Sequence, residues 1–196
     1  MRHDITIVGH RYMLRPVALG DAPFITELRC NPALNAYINS TSSSVDGQVA
    51  WLERYFERPG DWYFIIADAA TKQLEGTIGI YDYDAGSRVA EWGRWIIRPG
   101  SLAAVESALL IYRAAFESLA LEAVYCRTVA DNKRVVSFHD AAGLRRRATL
   151  EKHFQIAGRS HDAVEHYLDN STWRSIRPNL DRLAQRLAST ERRAGP

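Results

Sequence analysis

The order of apolar runs along this chain predicts an α/β (α+β) fold, one sheet with helices packed against it, on three observations. Short β-rich runs and amphipathic stretches follow the order strand, helix, helix, strand, strand, strand, helix, strand, helix. The runs 63–67 and 76–81 flank a Thr71-Lys72 turn and read as a β-hairpin. The strand Ala90-Glu91-Trp92-Gly93-Arg94-Trp95-Ile96-Ile97 breaks at Arg98-Pro99-Gly100-Ser101 and feeds an alanine-rich helix at about 102–119.

Each element has a local reason. Residues 12–17 read as a first strand, and Asp21 is placed to cap a helix that Asn31-Pro32 ends near Cys30. The run 40–44 is a serine-rich loop. Either Ser44 or Asp46 caps the next helix, which runs through Trp51, Leu52, Tyr55 and Phe56 until Pro59-Gly60 stops it. The hairpin supplies the second and third strands, and the Glu91 strand is the fourth. A fifth spans 123–129, Asn132 opens another helix ending at Gly143-Leu144, and 163–168 reads as a closing strand. Arg145-Arg146-Arg147 reads as a solvated turn, with a nucleotide phosphate as its other possible partner.

The chain divides into a domain over 1–172 and a C-terminal helical extension over 173–196. In the extension Leu180, Leu183 and Leu187 make a narrow apolar stripe at i, i+3 and i+7, which docks on the domain or on a second subunit, making a homodimer. The last residues, 192–196, read as a frayed end.

Composition excludes several function classes. At 196 residues, with 46% hydrophobic and 24% charged residues, the chain fits one globular domain. A formal charge of +2 and a pI near 8.6 reflect scattered arginines, so no nucleic acid is expected as partner. No apolar run reaches the ~18–20 residues of a membrane span, and none follows Met1-Arg2-His3-Asp4 as a secretory segment. Cys30 and Cys126 stand far apart without metal-like or CxxC spacing, so they read as two reduced thiols. The expectation is a cytoplasmic protein with no membrane partner and no metal.

The order strand, turn, helix, strand, Asn, helix, Gly over residues 90–144 resembles the acetyl-CoA-binding core of the GNAT N-acetyltransferases, in particular the RimJ/RimL-like branch. Glu91-Trp92-Gly93-Arg94-Trp95-Ile96 stands where that branch has Glu-x-Gly-Tyr/Trp-x-Ile/Leu, with the spacing altered by one residue. Ala115-Phe116-Glu117-Ser118-Leu119-Ala120-Leu121 and the pair Asn132…Gly143-Leu144 match the family's helix end and last core signature. The resemblance implies a mixed, mostly antiparallel central sheet, splayed between strands four and five and flanked by helices. It also implies acetyl-CoA as co-substrate. The shortened loop and Tyr125-Cys126-Arg127-Thr128-Val129-Ala130-Asp131-Asn132 look like the branch acting on nucleotide-linked amino sugars. Within it they are most similar to the flagellar-glycan enzymes that acetylate UDP-4-amino-4,6-dideoxy-N-acetyl-altrosamine in pseudaminic acid synthesis.

One departure stands out. The family's phosphate loop is generally Gln/Arg-x-x-Gly-x-Gly/Ala, and here Arg98-Pro99-Gly100-Ser101-Leu102-Ala103-Ala104 keeps a single glycine. A pyrophosphate needs a row of amides free of bulky side chains at a helix N-terminus, and Gly100, Ser101, Ala103 and Ala104 can supply it. Alternatively Gly100 serves the turn's geometry alone. The expected cofactor-binding set is Trp95, Ile96, Ile97, Arg98, Gly100, Ser101, Leu102, Ala103, Ala104, Asn132, Lys133 and Arg134. Asn132 doubles as a helix cap.

Acetyl transfer needs a neutral amine, a held thioester and a proton for the departing thiolate, whose pKa is near ~8.5. Positioning alone supplies up to roughly 7–11 kcal/mol, so no covalent nucleophile is required. Period-two alternation puts Glu91, Gly93 and Trp95 on one face of the fourth strand, where Glu91 is either a base for the ammonium or a structural carboxylate. His139 stands seven residues after Asn132, where many GNATs carry a sulfur-facing tyrosine. It is either the acid for the thiolate, the base for the amine, or a packed histidine. Tyr37, Asn39, Tyr81, Tyr83, Trp92 and His166 are acceptor candidates, and each has core or surface packing as its plain alternative. Three functions follow: an N-acetyltransferase on a nucleotide-linked amino sugar, one on a protein N-terminus or small amine, or a GNAT-shaped CoA binder without turnover.

Overall fold

The computed structural model describes residues 1–39, 41 and 43–194. Ser40 and Ser42 of the serine-rich loop, and Gly195-Pro196 of the expected frayed end, lie outside the described residues. Eight strands and five α-helices follow in the order β1 (Ile7–Val8), β2 (Tyr12–Pro16), α1 (Ala22–Cys30), α2 (Val45–Phe56), β3 (Trp62–Asp68), β4 (Leu74–Asp84), β5 (Val89–Ile97), α3 (Ala104–Arg113), β6 (Ala123–Val129), α4 (Lys133–Ala141), β7 (Arg145–Ile156), β8 (Arg159–Asp169) and α5 (Asn170–Ala194). The strands form one sheet in the order β1-β2-β3-β4-β5-β6-β8-β7. Every pair is antiparallel except β5 with β6.

That exception positions the site. β5 and β6 are joined by a helical crossover and run parallel, as such a connection requires. They pair only from Val89↔Ala123 to Glu91↔Tyr125. Beyond Glu91 the strands part, β5 staying with β4 and β6 with β8. This is the splay between the fourth and fifth strands that the resemblance implies.

Both faces of the sheet's middle are covered, so β3 is buried along its whole length rather than alternating. Trp62, Phe64 and Ile66 face a core with α3, Trp92 and Tyr112; Tyr63, Ile65 and Ala67 face a second core with Ile25, Leu52 and Tyr55 from α1 and α2. Glu106 at the start of α3 is buried and accepts from the amides of Arg11 and Tyr12 at 3.0 and 3.3 Å, which ties the β1–β2 turn to that helix.

Two local expectations are narrowed, at the α2 cap and in α5, and two are overturned, at Asp21 and at Arg145-Arg146-Arg147. Ser44, not Asp46, caps α2, its hydroxyl accepting from Gly47 N at 3.2 Å. Asp21 makes no side-chain cap on α1; it pairs with Arg15 at 2.6 Å and accepts from Ala18 N at 2.8 Å. Arg145-Arg146-Arg147 opens β7 instead of forming a turn. That strand is an edge, exposed for most of its length, so its charged residues keep both faces in water and guard its open side. Finally, α5 does dock on the domain, but through Trp173, Leu180, Ala184 and Ala188, while Leu183 is exposed. The i, i+4 and i+8 row won because two alanines allow close approach to α3.

Candidate active site

A β-bulge in β5 builds the site. Pairing with β4 passes from Gly79↔Gly93 to Thr77↔Ile96, so β5 holds an extra residue there, and Arg94 takes a left-handed φ of 51°. The alternation expected for Glu91, Gly93 and Trp95 therefore fails. Trp95 swings to the α3 face, where it lies 5.6 Å from the Trp92 ring and donates its indole N–H to Ser107 Oγ at 3.0 Å. Glu91 and Gly93 stay on the opposite face with Tyr81. Glycine at 93 lets Tyr81 lie here, since a Cβ would press on Tyr81 Oη and push that side chain aside.

Glu91 is 7% exposed. Tyr81 Oη donates to its Oε1 at 3.4 Å and Arg127 Nη1 lies 3.1 Å from its Oε2. Burial outweighs Arg127 and pushes the carboxyl up to about 7. Arg127 also reaches Glu165 at 3.0 Å, and Arg147 holds that carboxylate at 2.6 Å. Burial opposes ionisation of Glu165, but the two arginines overcome it and hold its carboxyl below the usual range. Two carboxylates in one network are thus driven apart, leaving Glu91 as the group that changes charge near neutral pH.

On the α3 face, Asn132 caps α4, its side chain accepting from Val135 N at 3.4 Å. The helix carries His139 inward onto the sheet, against β5 and β8. The ring lies 5.2 Å from Trp92 and 5.9 Å from Trp95 on β5, and 5.1 Å from His166 on β8. In this apolar box burial lowers its pKa to about 3, so His139 is a neutral imidazole at ordinary pH.

The turn after β5 fits an anionic ligand. Gly100 has φ of 82°, and the space where its Cβ would stand is open. Ser101 Oγ accepts from Ala103 N at 3.2 Å, and Ser107 N is bonded to Ala103 O at 2.8 Å. The amides of Ala104, Val105 and Glu106 occupy the first turn of α3, where a helix has no carbonyl behind them. Arg98 is half-buried and pairs with Glu75 at 3.5 Å, while Leu102, Lys133 and Arg134 are exposed. Ala103 and Ile96 are buried and offer a ligand only their backbone; Ile97 is half-buried.

The acceptor candidates separate. Tyr81 stands beside Glu91, and exposed Tyr37 reaches the carbonyl of Asp131 at 3.3 Å, before α4. The Asn39 carbonyl accepts from Arg29 at 3.2 Å. Three others lie elsewhere. Trp92, 2% exposed, is enclosed by Tyr112, Trp95 and His139, so it has no face for an acceptor. His166 is wholly buried, with Nε2 3.1 Å from Asp140 Oδ1. Tyr83 packs on Trp62, because Asp82 takes a φ of 52° and the register shifts between Tyr81 and Asp84.

Sequence reasoning missed a pocket of about 180 Å³ lined by Ile25, Arg29, Thr41, Gln48, Trp51, Tyr63 and Arg94. Arg94 anchors it, bonded to Asp61 at 2.8 Å and lying 4.5 Å over Tyr81, 5.3 Å over Tyr63 and 5.5 Å over Trp51. The available signal was Gln48, a buried amide on the apolar face of α2 next to Trp51 and Leu52. A larger hollow of about 400 Å³ is lined by α5 alone and has no part of the diverging strands.

A family model for the acetyltransferase (GNAT) domain matches residues 11–145. The chain belongs to the GNAT family. Among solved structures this GNAT chain is similar to apo FdhC, described as a nucleotide-linked sugar GNAT, at 27% identity over 93% of this chain and 99% of that one, with a TM-score of 0.79. It is also similar to a putative acetyltransferase from T. thermophilus at 24% identity, covering 92% and 97%, TM-score 0.77. A variant of the spermidine N-acetyltransferase SpeG from Vibrio cholerae matches at 24%, covering 83% and 95%, TM-score 0.73. The last two show the fold. No curated protein matches. The protein is an N-acetyltransferase, and GNAT domains use acetyl-CoA. Among the described residues no group of three or more His, Cys, Asp or Glu could hold a metal ion, and no helix is long and apolar enough to cross a membrane.

Proposed function

We propose that the chain acetylates the amine of a nucleotide-linked amino sugar. The carrying observation is the pocket between α1, α2 and the β5 bulge. It presents the guanidinium of Arg29, whose partner there is a backbone carbonyl, and the flat faces of Trp51 and Tyr63, with no carboxylate among its lining residues. Such a lining suits a phosphate-bearing ligand and an apolar sugar or base face; a polyamine would call for carboxylates. The similarity to a nucleotide-linked sugar GNAT points the same way.

Acetyl-CoA, when bound, supplies a thioester and a thiolate leaving group. The Arg98–Ala104 turn and the first amides of α3 would hold its pyrophosphate, with Lys133 and Arg134 facing solvent nearby for further phosphate. Glu91, poised near 7, takes the proton from the acceptor ammonium, directly or through a water, while Arg127 steadies its ionised form. His139, neutral in its box of rings, gives its N–H to the departing sulfur. Gly93 and the bulge keep Tyr81 against Glu91.

Comparing kcat/KM for a UDP-linked 4-amino-4,6-dideoxy sugar, the same sugar without nucleotide, spermidine and an N-terminal peptide tests the reading. The nucleotide-linked sugar is expected to lead by ten-fold or more, because remote binding energy positions the amine. Arg29→Ala should erase that lead while sparing the free sugar. Equal values for the two sugars, or preference for spermidine or peptide, would overturn it.

A further inference from the structure

We propose that Glu165 is a positioning residue for the reaction: it holds Arg127 as a partner shared with Glu91, so that the base loses its charge without stranding a half-buried cation. This role rests on the reading of Glu91 as the base. Arg127 bridges two carboxylates through different atoms. Its Nε donates to Glu165 Oε2 at 3.0 Å, and its Nη1 donates to Glu91 Oε2 at 3.1 Å. Glu165, 4% exposed, turns its other oxygen to Arg147, whose Nε donates at 2.6 Å. The strand layout explains the bridge. Arg127 stands opposite Glu165 across β6 and β8, two positions beyond Glu91↔Tyr125, the last pair of β5 with β6. There the backbone ladder has ended, and the guanidinium crosses the opening in its place. Both arginines also lie over the Tyr125 ring, Arg127 at 4.8 Å and Arg147 at 5.3 Å.

A guanidinium stays charged throughout, whereas a base changes charge in every turnover. When an N–H bond of the acceptor ammonium breaks and an O–H bond forms on Glu91, the amine and the carboxyl both end neutral. Paired with Glu91 alone, Arg127 would then be a cation largely removed from water and without a counter-ion. The cost of that state would hold Glu91 ionised and make it a weak base. Glu165 removes the difficulty. Burial opposes its charge, but Arg147 and Arg127 overcome burial and keep it ionised. Burial likewise works against the charge of Arg127, and Glu91 and Glu165 outweigh it. Arg127 therefore faces an anion both before and after the proton moves.

The other groups around Glu91 do not take over this part. Tyr81 on β4 and Tyr125 on β6 are phenols pushed up by burial, and both stay neutral. Burial and, after it, the like charge of exposed Asp82 on β4 raise Glu91, so Asp82 offers Arg127 no bond in the bridge. Arg94 on β5 lies over Tyr81 and is bonded to Asp61 at 2.8 Å.

The test is the pH profile of kcat/KM for the amine in the parent, Glu165→Gln, Arg147→Gln and Glu91→Gln, with acetyl-CoA affinity measured alongside. In Glu165→Gln the amide oxygen still accepts from Arg127 Nε, but the anion is gone and Arg127 turns its charge to Glu91 alone. The acidic limb should move down by about one pH unit, and the plateau above it should fall several-fold, with acetyl-CoA affinity unchanged. Arg147→Gln, on the exposed edge strand, leaves Glu165 to Arg127 alone and should move the limb up. That variant decides the matter if Glu165→Gln does not fold. In an Arg127→Gln background the Glu165 change should move the limb far less, because the guanidinium through which it acts is absent. A limb that stays or rises in Glu165→Gln, that stays or falls in Arg147→Gln, or that moves as far without Arg127, overturns the role of Glu165 and leaves Glu91 as the base. A parental profile in Glu91→Gln overturns the base and this role together.

Discussion

Glu91 is the base of the proposed mechanism, and its environment makes two predictions. A base has to be ionised, so kcat/KM for the amine should rise with pH through about 7. Glu91→Gln should lower it by roughly ten-fold or more and flatten the acidic limb; a parental profile would remove Glu91 from the mechanism. The same shift is a stability statement. A carboxyl raised from 4.5 to about 7 in the folded state favours folding while protonated. That advantage is lost as pH rises from about 4.5 through 7, where ionisation costs the native state on the order of 3 kcal/mol. Glu91→Gln should therefore gain stability in urea melts at pH 8 and change little at pH 4, since Arg127 keeps Glu165 at 3.0 Å. The carboxylate was legible in the sequence; its burial beside Tyr81 and Arg127 was not, because those residues lie 10 and 36 positions away.

At the scale of elements, bulges and turns decide what faces what. Gly93→Ala would press a methyl against Tyr81 Oη, so Tyr81 should move off Glu91 and activity should fall several-fold while the fold survives. Crystallography of that variant with a rate assay checks it. Gly100→Val places a β-branched residue at φ 82°, a strain of about 1–3 kcal/mol, in otherwise open space. Weaker acetyl-CoA binding by calorimetry is expected, and an unchanged dissociation constant would move the phosphate site elsewhere. Period-two reasoning grouped Trp95 with Glu91, and that grouping failed at one backbone residue, Arg94, just as Asp82 turns Tyr83 away from Tyr81. A left-handed φ at a residue other than glycine leaves little mark in a sequence. β7 escaped for another reason: an edge strand with little buried face has no apolar alternation to read.

At the scale of the whole molecule, α5 completes the core that carries His139. Trp173 is 2% exposed, stacked on Phe116 at 5.8 Å and against Tyr112 at 5.7 Å, and Tyr112 in turn touches Trp92. Trp173→Ala should cost about 3–5 kcal/mol by the cavity it leaves. A thermal melt reads that loss, and kcat at a temperature where the variant is folded reads any loosening of the His139 box. A melting temperature equal to the parent's would mean that α5 is a passive appendage.

The sequence by itself determined the order of elements from β2 to α4, the hairpin, the Gly100 turn, the Asn132 cap and the acidic residue near the head of the strand that feeds that turn. These are local facts, set by turn residues, capping and apolar period within a few positions. Only the tertiary structure decided that Glu91 is the last residue before the strands part, that Trp92 and His166 belong to the interior, and that Arg29, Gln48, Trp51 and Arg94 meet in one pocket. Those outcomes depend on which distant elements cover each face of the sheet, and burial, which sets both charge and access, is a property of the assembled layers and not of any one segment.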